Sequence, residues 1–325
     1  MKKIRFLNLA VSNKDERKKL IKIFSNSLDD GVFVLGKKVL NFEKKIARKL
    51  NRKYAVGVSS GTNALYLSLK SIGIKAGDEV LVPCMSWYSS FTAIVMAGGI
   101  PIGVDIKDNL LMDLNNIKKK ITKKTKAILY VHFTGLVQDL TGLKKFCKKK
   151  NFFLIEDCAQ SFYGKIKNQF AGSFSDVSAF STNPMKNYAG LGDSGFVTTN
   201  SFKIYKKLLI LRYAGIDMKK DECIYPDLNN KIDTLQASIL DYRLSTISEI
   251  IKKRISNASY YEKNLLNIKK PIFSNKGNHV YYTYQIIHEK RNELKNFLEK
   301  NGIETKIHYP ILICNQPANK INTLT

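Results

Sequence analysis

The chain is predicted to be an α/β protein: a three-layer α/β/α large domain on a mostly parallel sheet, followed by a smaller α+β C-terminal domain. Three observations carry this. Short apolar runs alternate with amphipathic helical segments from residue 54 to 200, the pattern of a parallel sheet covered by helices. Several of those runs, such as NFFLIED and KAILYVH, are apolar nearly throughout rather than alternating, as strands buried on both faces are. With 325 residues, 44% apolar and 25% charged, the chain is long enough for one large or two ordinary domains and has the composition of a folded protein.

In order, residues 14–26 and 37–50 read as helices, the second with Leu40, Phe42, Ile46 and Leu50 at helical spacing. Residues 54–59 form a strand that runs through Ser60-Gly61-Thr62-Asn63 into a helix. A strand, a small polar turn and a helix start make an anion site, because free N–H groups and the helix dipole face outward there; a plain capped turn fits the same residues. Residues 79–83 are a strand, and the following CMSWYSSFTAIVMAGG reads as a helix with Trp87 near its start. Strands at 100–105, 126–132 and 151–157 follow, interleaved with helices near 113–120 and 140–150. The last of these strands ends on Glu156 and Asp157. Strands at 177–180 and 196–199 flank a loop carrying Lys186. Beyond a helix at 201–213 lie a polar loop (219–230), one long helix from 232 to 266, and a β-α-β tail: strand 279–287, helix 290–301, strand 304–308. The domain boundary is placed between residues 230 and 231.

The Lys186 loop holds Asn183, Pro184, Gly190, Gly192 and Gly195, which exclude a regular helix. It also spells G-x-G-x-x-G from Gly190 to Gly195. A dinucleotide fingerprint follows a strand and opens a helix; this one opens the strand FVTTN, so that reading is rejected.

The net charge of +27 admits a nucleic-acid, membrane or anionic small-molecule partner. The basic residues are 46 Lys and 8 Arg, however. Base-specific sites favour Arg, and the densest lysine runs fall on helices, where solvated faces account for them. Neither a nucleic-acid nor a membrane partner is expected. The five cysteines are widely spaced without C-x-x-C, which suits a reducing cytoplasm and gives no metal pattern. The basic N-terminus lacks the apolar core of a signal peptide. A cytoplasmic enzyme without a metal is expected.

Four features become informative together: the turn at Gly61-Thr62, the lone tryptophan Trp87, the strand-end carboxylate Asp157 and the loop amine Lys186. They match the needs of pyridoxal 5′-phosphate (PLP): donors for a phosphate, a plate for a flat ring, an acid partner for the ring nitrogen, and an amine for the aldehyde. Read singly, each also fits a structural role: a surface-loop lysine, a core tryptophan, a turn-capping aspartate.

The chain resembles the sugar aminotransferases of the DegT/DnrJ/EryC1/StrS type, within the fold-type I PLP enzymes. The likeness runs through VGVSSGTNALYLSL, EVLVPCMSWYSSFTAIVMAGGIPIGVDI, ITKKTKAILYVHFTG, LIEDCAQSFYG, FSTNPMKNYAGLGDSGFVTTN, LNNKIDTLQASIL and GIETKIHYPI, in that family's order. The resemblance implies that Gly61, Thr62 and Ser181 hold the phosphate, Trp87 stacks on the ring, Asp157 pairs with its nitrogen and Gln160 lies near its hydroxyl. It implies that Lys186 joins the cofactor aldehyde and then moves the proton. Asn229 is implied to reach the partner's phosphate in a homodimer with shared active sites, and His308 and Tyr309 to line the sugar side. The implied reaction takes an amine from L-glutamate to a keto sugar linked to a nucleotide, for surface-glycan or lipopolysaccharide synthesis. Relatives with His at the lysine position dehydrate instead, so Lys186 favours amino transfer over a dehydratase. A basic, non-catalytic binding protein on the same fold is the competing expectation from another class. Two departures stand out. Lys231 occupies a position where the family usually has Arg, and the stretch after Pro310 is shorter than the family's tail.

Overall fold

The structure is a computed structural model in which residues 3–273 and 278–321 are described. Helices α1 (Lys14–Asp30) and α2 (Gly36–Lys49) precede strand β1 (Tyr54–Val58), and the alternation then runs α3 (Gly61–Ser71), β2 (Glu79–Pro83), α4 (Ser89–Met96), β3 (Ile100–Val104), α5 (Leu114–Lys120), β4 (Thr125–Val131), α6 (Thr141–Lys150) and β5 (Phe153–Asp157). A two-residue-per-strand hairpin, β6 (Lys165–Ile166) and β7 (Gln169–Phe170), leads to β8 (Val177–Ser181), β9 (Gly195–Thr199) and α7 (Phe202–Arg212). A second small hairpin, β10 (Ile216–Asp217) and β11 (Glu222–Cys223), is followed by α8 (Thr234–Arg243), α9 (Ile247–Asn264), α10 (Arg291–Lys300) and α11 (Pro317–Ile321).

Seven strands form the main sheet in the order β1-β9-β8-β5-β4-β2-β3. The pairs β3–β2, β2–β4, β4–β5 and β5–β8 are parallel, while β9 runs antiparallel between β8 and β1. Side chains alternate between faces, so the sheet carries two cores. Val177, Ala179 and Val197 point into one with α3 and Ile94 of α4; Phe180 and Phe196 point into the other with Phe42 and Ile46 of α2 and Leu240 of α8. The expected α/β/α layering with a mostly parallel sheet is what the chain adopts. The lysine runs also fall as expected: Lys118–Lys120 and Lys148–Lys150 close α5 and α6, where they complement the carbonyl end of the helix dipole.

Four expectations need correction. The first helix runs on to Asp30, because the Asn13 side chain caps its start and Gly31, with φ 62°, closes its end. Trp87 stands outside α4, in the bend before it, since that helix begins only at Ser89. The long helix expected over 232–266 is broken between Arg243 and Ile247. There the Ser245 hydroxyl donates to the Tyr242 carbonyl at 2.8 Å and the Thr246 hydroxyl to that of Arg243 at 3.1 Å, occupying carbonyls the helix would use.

The largest correction is the tail. Its helix forms, but residues 279–287 and 304–308 are not strands. His279 makes one bridge to Leu136 and Ile303 one to Ile4, and no ladder partner is present to extend either among the described residues. The segment instead clips onto the turn after β4: Val280 N–H donates to the Gly135 carbonyl at 3.0 Å and Tyr282 N–H to that of Thr134 at 2.9 Å. Between these bonds His279 is buried against Tyr281, with ring centroids 4.0 Å apart, and burial pushes its pKa down to about 3. The unfolded chain therefore takes up a proton near pH 6.5 that the folded chain refuses until about pH 3. This contribution to stability is whole above the upper value and falls by about 1.4 kcal/mol per pH unit below it. Denaturant midpoints at pH 7.5 and 5 are expected to drop further for the unmodified chain than for His279→Gln.

Candidate active site

The parallel strands bring their C-terminal ends to one edge of the sheet, where open α/β sheets bind ligands. β5 delivers Asp157 there and β8 delivers Ser181. The antiparallel β9 starts at the same edge. In register, Ser181 faces Gly195, and Gly195 in turn faces Val58 at the end of β1. The lysine loop, the Ser60 turn and the ends of β1 and β8 are thus one place in space.

The turn after β1 is tightly built. The Ser60 hydroxyl accepts the Asn63 N–H at 3.1 Å and its carbonyl accepts that of Ala64 at 2.9 Å. The N–H groups of Gly61 and Thr62 are left without acceptors among the described residues. Gly61 is required here, since a Cβ would lie 2.4 Å from the Ser181 Cβ and 2.8 Å from its hydroxyl. Gly195 is as constrained: its Cβ would stand 2.8 Å from the Ser60 carbonyl. Two free N–H donors beside a hydroxyl, at the start of an eleven-residue helix, suit a phosphate.

The two carboxylates that end β5 have different partners. Glu156 faces inward, accepting from His132 at 2.9 Å and from the N–H groups of Gly172, Phe174 and Ser175 at 2.8–3.0 Å, and is fully occupied as a structural post. Asp157 has one oxygen on the Ala159 N–H at 3.0 Å and the other on the Ser90 hydroxyl at 3.1 Å. Burial raises its pKa, against the pull of the Ala159 bond and the Lys186 charge. Such a carboxylate gains from a cationic partner, which a protonated pyridine nitrogen supplies.

Lys186 is half-buried as a residue, but desolvation of its amine lowers its pKa while Asp157 pulls it up. Its amine lies 4.7 Å above the Tyr282 ring. A lysine so placed keeps a share of neutral, nucleophilic amine that a surface lysine lacks. Its loop is held from behind by α8. The Leu191 N–H donates to Gln236 Oε1 at 2.8 Å, the Tyr188 hydroxyl to the Leu240 carbonyl at 2.6 Å, and Arg243 to the Ala189 and Gly190 carbonyls at 2.7 and 3.1 Å. Gly190 and Gly192 give Gln236 its room: Cβ atoms there would stand 2.6 and 3.0 Å from its amide. This is why the loop carries glycines without being a dinucleotide fingerprint.

Trp87 is 59% exposed and tilts toward Tyr309 at 5.6 Å between centroids. Tyr309 also meets Gln160, whose Nε2 donates to its hydroxyl at 3.4 Å while Oε1 accepts the Thr134 N–H at 2.6 Å. His308 is half-buried, its pKa lowered by burial and by the charges of Lys306 and Lys186. Asp157, Lys186, Trp87, Gln160, His308 and Tyr309 are therefore joined by contacts or by mutual charge effects, and Gly61, Thr62 and Ser181 stand together at the same edge of the sheet. Asn229 is exposed, and among the described residues its side chain accepts only the Lys231 N–H, at 3.4 Å, so they do not bring it to the group. Ser90 and Tyr282 were missed. Ser90 lies in a serine-rich stretch, Ser86 and Ser89-Ser90, where spacing alone singles out none of the three, and Tyr282 reaches Lys186 only through the tail's docking.

The donors at Gly61 and Thr62, the carboxylate Asp157, the half-exposed ring of Trp87 and the buried amine of Lys186 fit pyridoxal phosphate group for group. Comparison with known proteins agrees. The family model of the DegT/DnrJ/EryC1/StrS aminotransferase family matches residues 14–323. A dTDP-3-amino-3,6-dideoxy-alpha-D-galactopyranose transaminase of Aneurinibacillus thermoaerophilus is 35% identical over 312 residues, 95% of this chain and 85% of that protein. The structure of DesV from Streptomyces venezuelae, solved with a ketimine intermediate, superposes with TM-score 0.94 at 30% identity, covering 98% of this chain and 87% of that one. NtdA of Bacillus subtilis, solved with bound cofactor PMP, superposes with TM-score 0.90 at 29% identity over 99% of this chain and 76% of its own. The chain belongs to the DegT/DnrJ/EryC1/StrS aminotransferase family and is a PLP-dependent aminotransferase.

Proposed function

We propose that this protein transfers the amino group of L-glutamate to a keto group on a nucleotide-linked deoxysugar, using pyridoxal phosphate. The observation that carries the reading is the pairing of a half-buried, desolvated Lys186 amine with the buried Asp157 carboxylate at one sheet edge beside the free donors of α3. The substrate class is supported by the transaminase relative acting on a dTDP-linked sugar. When bound, the cofactor supplies an electron sink for the carbon being deprotonated. Gly61, Thr62 and Ser181 hold its phosphate, Trp87 covers its ring, Asp157 keeps its ring nitrogen protonated and Gln160 approaches its ring hydroxyl. Lys186 anchors the aldehyde. Its amine, when free, would move a proton to and from the substrate Cα, work that needs the neutral form desolvation favours.

His308 and Tyr309 line the side the sugar enters. Exposed Asn229 reaches the phosphate of a second copy, making a homodimer with shared sites. The product serves surface-glycan or lipopolysaccharide synthesis in the cytoplasm. The assay that tests the reading follows bound-cofactor absorbance. Glutamate is expected to bleach the visible band with release of 2-oxoglutarate, and a keto-deoxysugar nucleotide from a panel of dTDP, UDP and GDP sugars to restore it. Bleaching with no sugar nucleotide restoring the band would overturn the substrate class. Trp87→Ala is expected to weaken cofactor binding about 10-fold, the worth of one aromatic stack, with Trp87→Phe keeping most of it. Titrating the apoprotein with PLP measures both.

A further inference from the structure

Asp157 must stay ionised, correctly turned, and free on one side to do its work. Its Oδ1 is fixed by the Ala159 N–H at 3.0 Å and its Oδ2 by the Ser90 hydroxyl at 3.1 Å. Behind Ser90, at 2.9 Å, stands the hydroxyl of Ser86. Both serines are buried, at 1% and 4% exposure, so water does not compete for these bonds. An ionised carboxylate only accepts, so the single proton of Ser90 points at Asp157. The Ser86–Ser90 contact must then take its proton from Ser86. The donors run one way, Ser86 to Ser90 to Asp157, and that order exists only while Asp157 is an anion. Were Asp157 protonated, its own O–H would contest the place of Ser90's proton.

The same turn carries Trp87. The Ser90 N–H donates to the Trp87 carbonyl at 3.1 Å, so ring plate and carboxylate brace are set by one stretch of backbone. The titratable groups that bear on Asp157 are Lys186 from the loop after β8, His132 after β4, Cys158 after β5 and Tyr309 from the C-terminal segment. None of them donates to its Oδ2. We propose that Ser90, backed by Ser86, is a positioning residue that holds Asp157 as an oriented anion toward the cofactor's ring nitrogen. The inference rests on the reading of Asp157 as that nitrogen's partner.

Without the Ser90 hydroxyl, Oδ2 would lose its donor and its placement; the more basic carboxylate would draw the ring proton onto itself or turn from it, and either way the ring nitrogen would carry less positive charge. The ring then withdraws fewer electrons, and the cofactor's bond to Lys186 keeps its own proton to higher pH. The test is the pH titration of the visible band of PLP-loaded protein, with the PLP dissociation constant and the melting temperature of the apoprotein alongside. Ser90→Ala is expected to raise the titration midpoint by about 0.5–1 pH unit. Ser86→Ala should raise it by a few tenths, and Ser90→Thr should restore the unmodified value. A merely structural serine would lower melting and leave the midpoint in place. Superimposable titrations of Ser86→Ala and the unmodified protein, or a Ser90→Thr variant that titrates like Ser90→Ala, would overturn the inference. Should Ser90→Ala fail to fold, the other two variants still decide it. An unmodified protein that gains no visible band with PLP would instead sink the cofactor assignment itself.

Discussion

Lys186→Ala is expected to abolish amino transfer, lowering the rate of the glutamate half-reaction by about 10⁴-fold or more. Two functions go with the side chain: the amine that anchors the aldehyde, and the base that moves the proton between substrate and cofactor. Proton transfer by a placed base is worth about 10²–10⁴-fold, and losing an anchoring nucleophile adds to it. Among the described residues the groups that bear on this amine are Tyr282, Asp157 and His308, and none of them can anchor an aldehyde. Above the amine lies the Tyr282 ring, and the nearest interacting acid, Asp157, is committed to Ala159 and Ser90. Fold and phosphate site should survive, because the loop is held by Gln236, Tyr188 and Arg243 rather than by the lysine. Single-turnover spectroscopy with glutamate measures the loss. A variant that still bleaches within tenfold of the unmodified rate would show that another group moves the proton.

Asp157→Asn should cost about 10²–10³-fold in the same half-reaction. The change is nearly isosteric, so the bond from Ser90 can persist while the charge goes. A preorganised group acting on developing charge in a dry site is worth that much. The Ala159 N–H also loses an anionic acceptor, and a neutral amide can present its own N–H to the ring nitrogen and leave it unprotonated. The effect should fall on the rate and hardly on the KM for glutamate, because the proposed partner of Asp157 is the cofactor's ring nitrogen rather than the substrate. Separate kcat and KM values test this; a loss carried by KM would place Asp157 at the substrate instead.

Asp157 and Lys186 were legible as candidates because apolar runs that read as strands frame them. Asp157 closes NFFLIED, and Lys186 lies in a glycine-rich break between two strands. The positioning groups were not. Gln236, Arg243 and Ser90 sit at ordinary helical positions, and what they do depends on which loop packs against them. The tail failed for the complementary reason. His279–Ile287 is rich in the aromatic and branched residues of strands, but strand propensity is realised only against a neighbour to pair with. Here the segment meets the turn at Thr134–Leu136, which offers scattered acceptors rather than an edge. Asn229 and Lys231 were read through likeness alone, and both side chains stay on the chain's own surface, Lys231 over the Tyr213 ring at 4.2 Å.

Arg243 ties the Lys186 loop to the first helix. One guanidinium face grips the carbonyls of Ala189 and Gly190 beneath the reactive loop; its other edge meets Glu16 of α1 at 2.8 and 3.0 Å. α1 is thereby a strut for the loop that carries Lys186. Loosening it leaves every reacting group present in the chain yet slackens the floor under Lys186, so a nick or trim near residue 16 would read out as lost chemistry before it read out as lost fold.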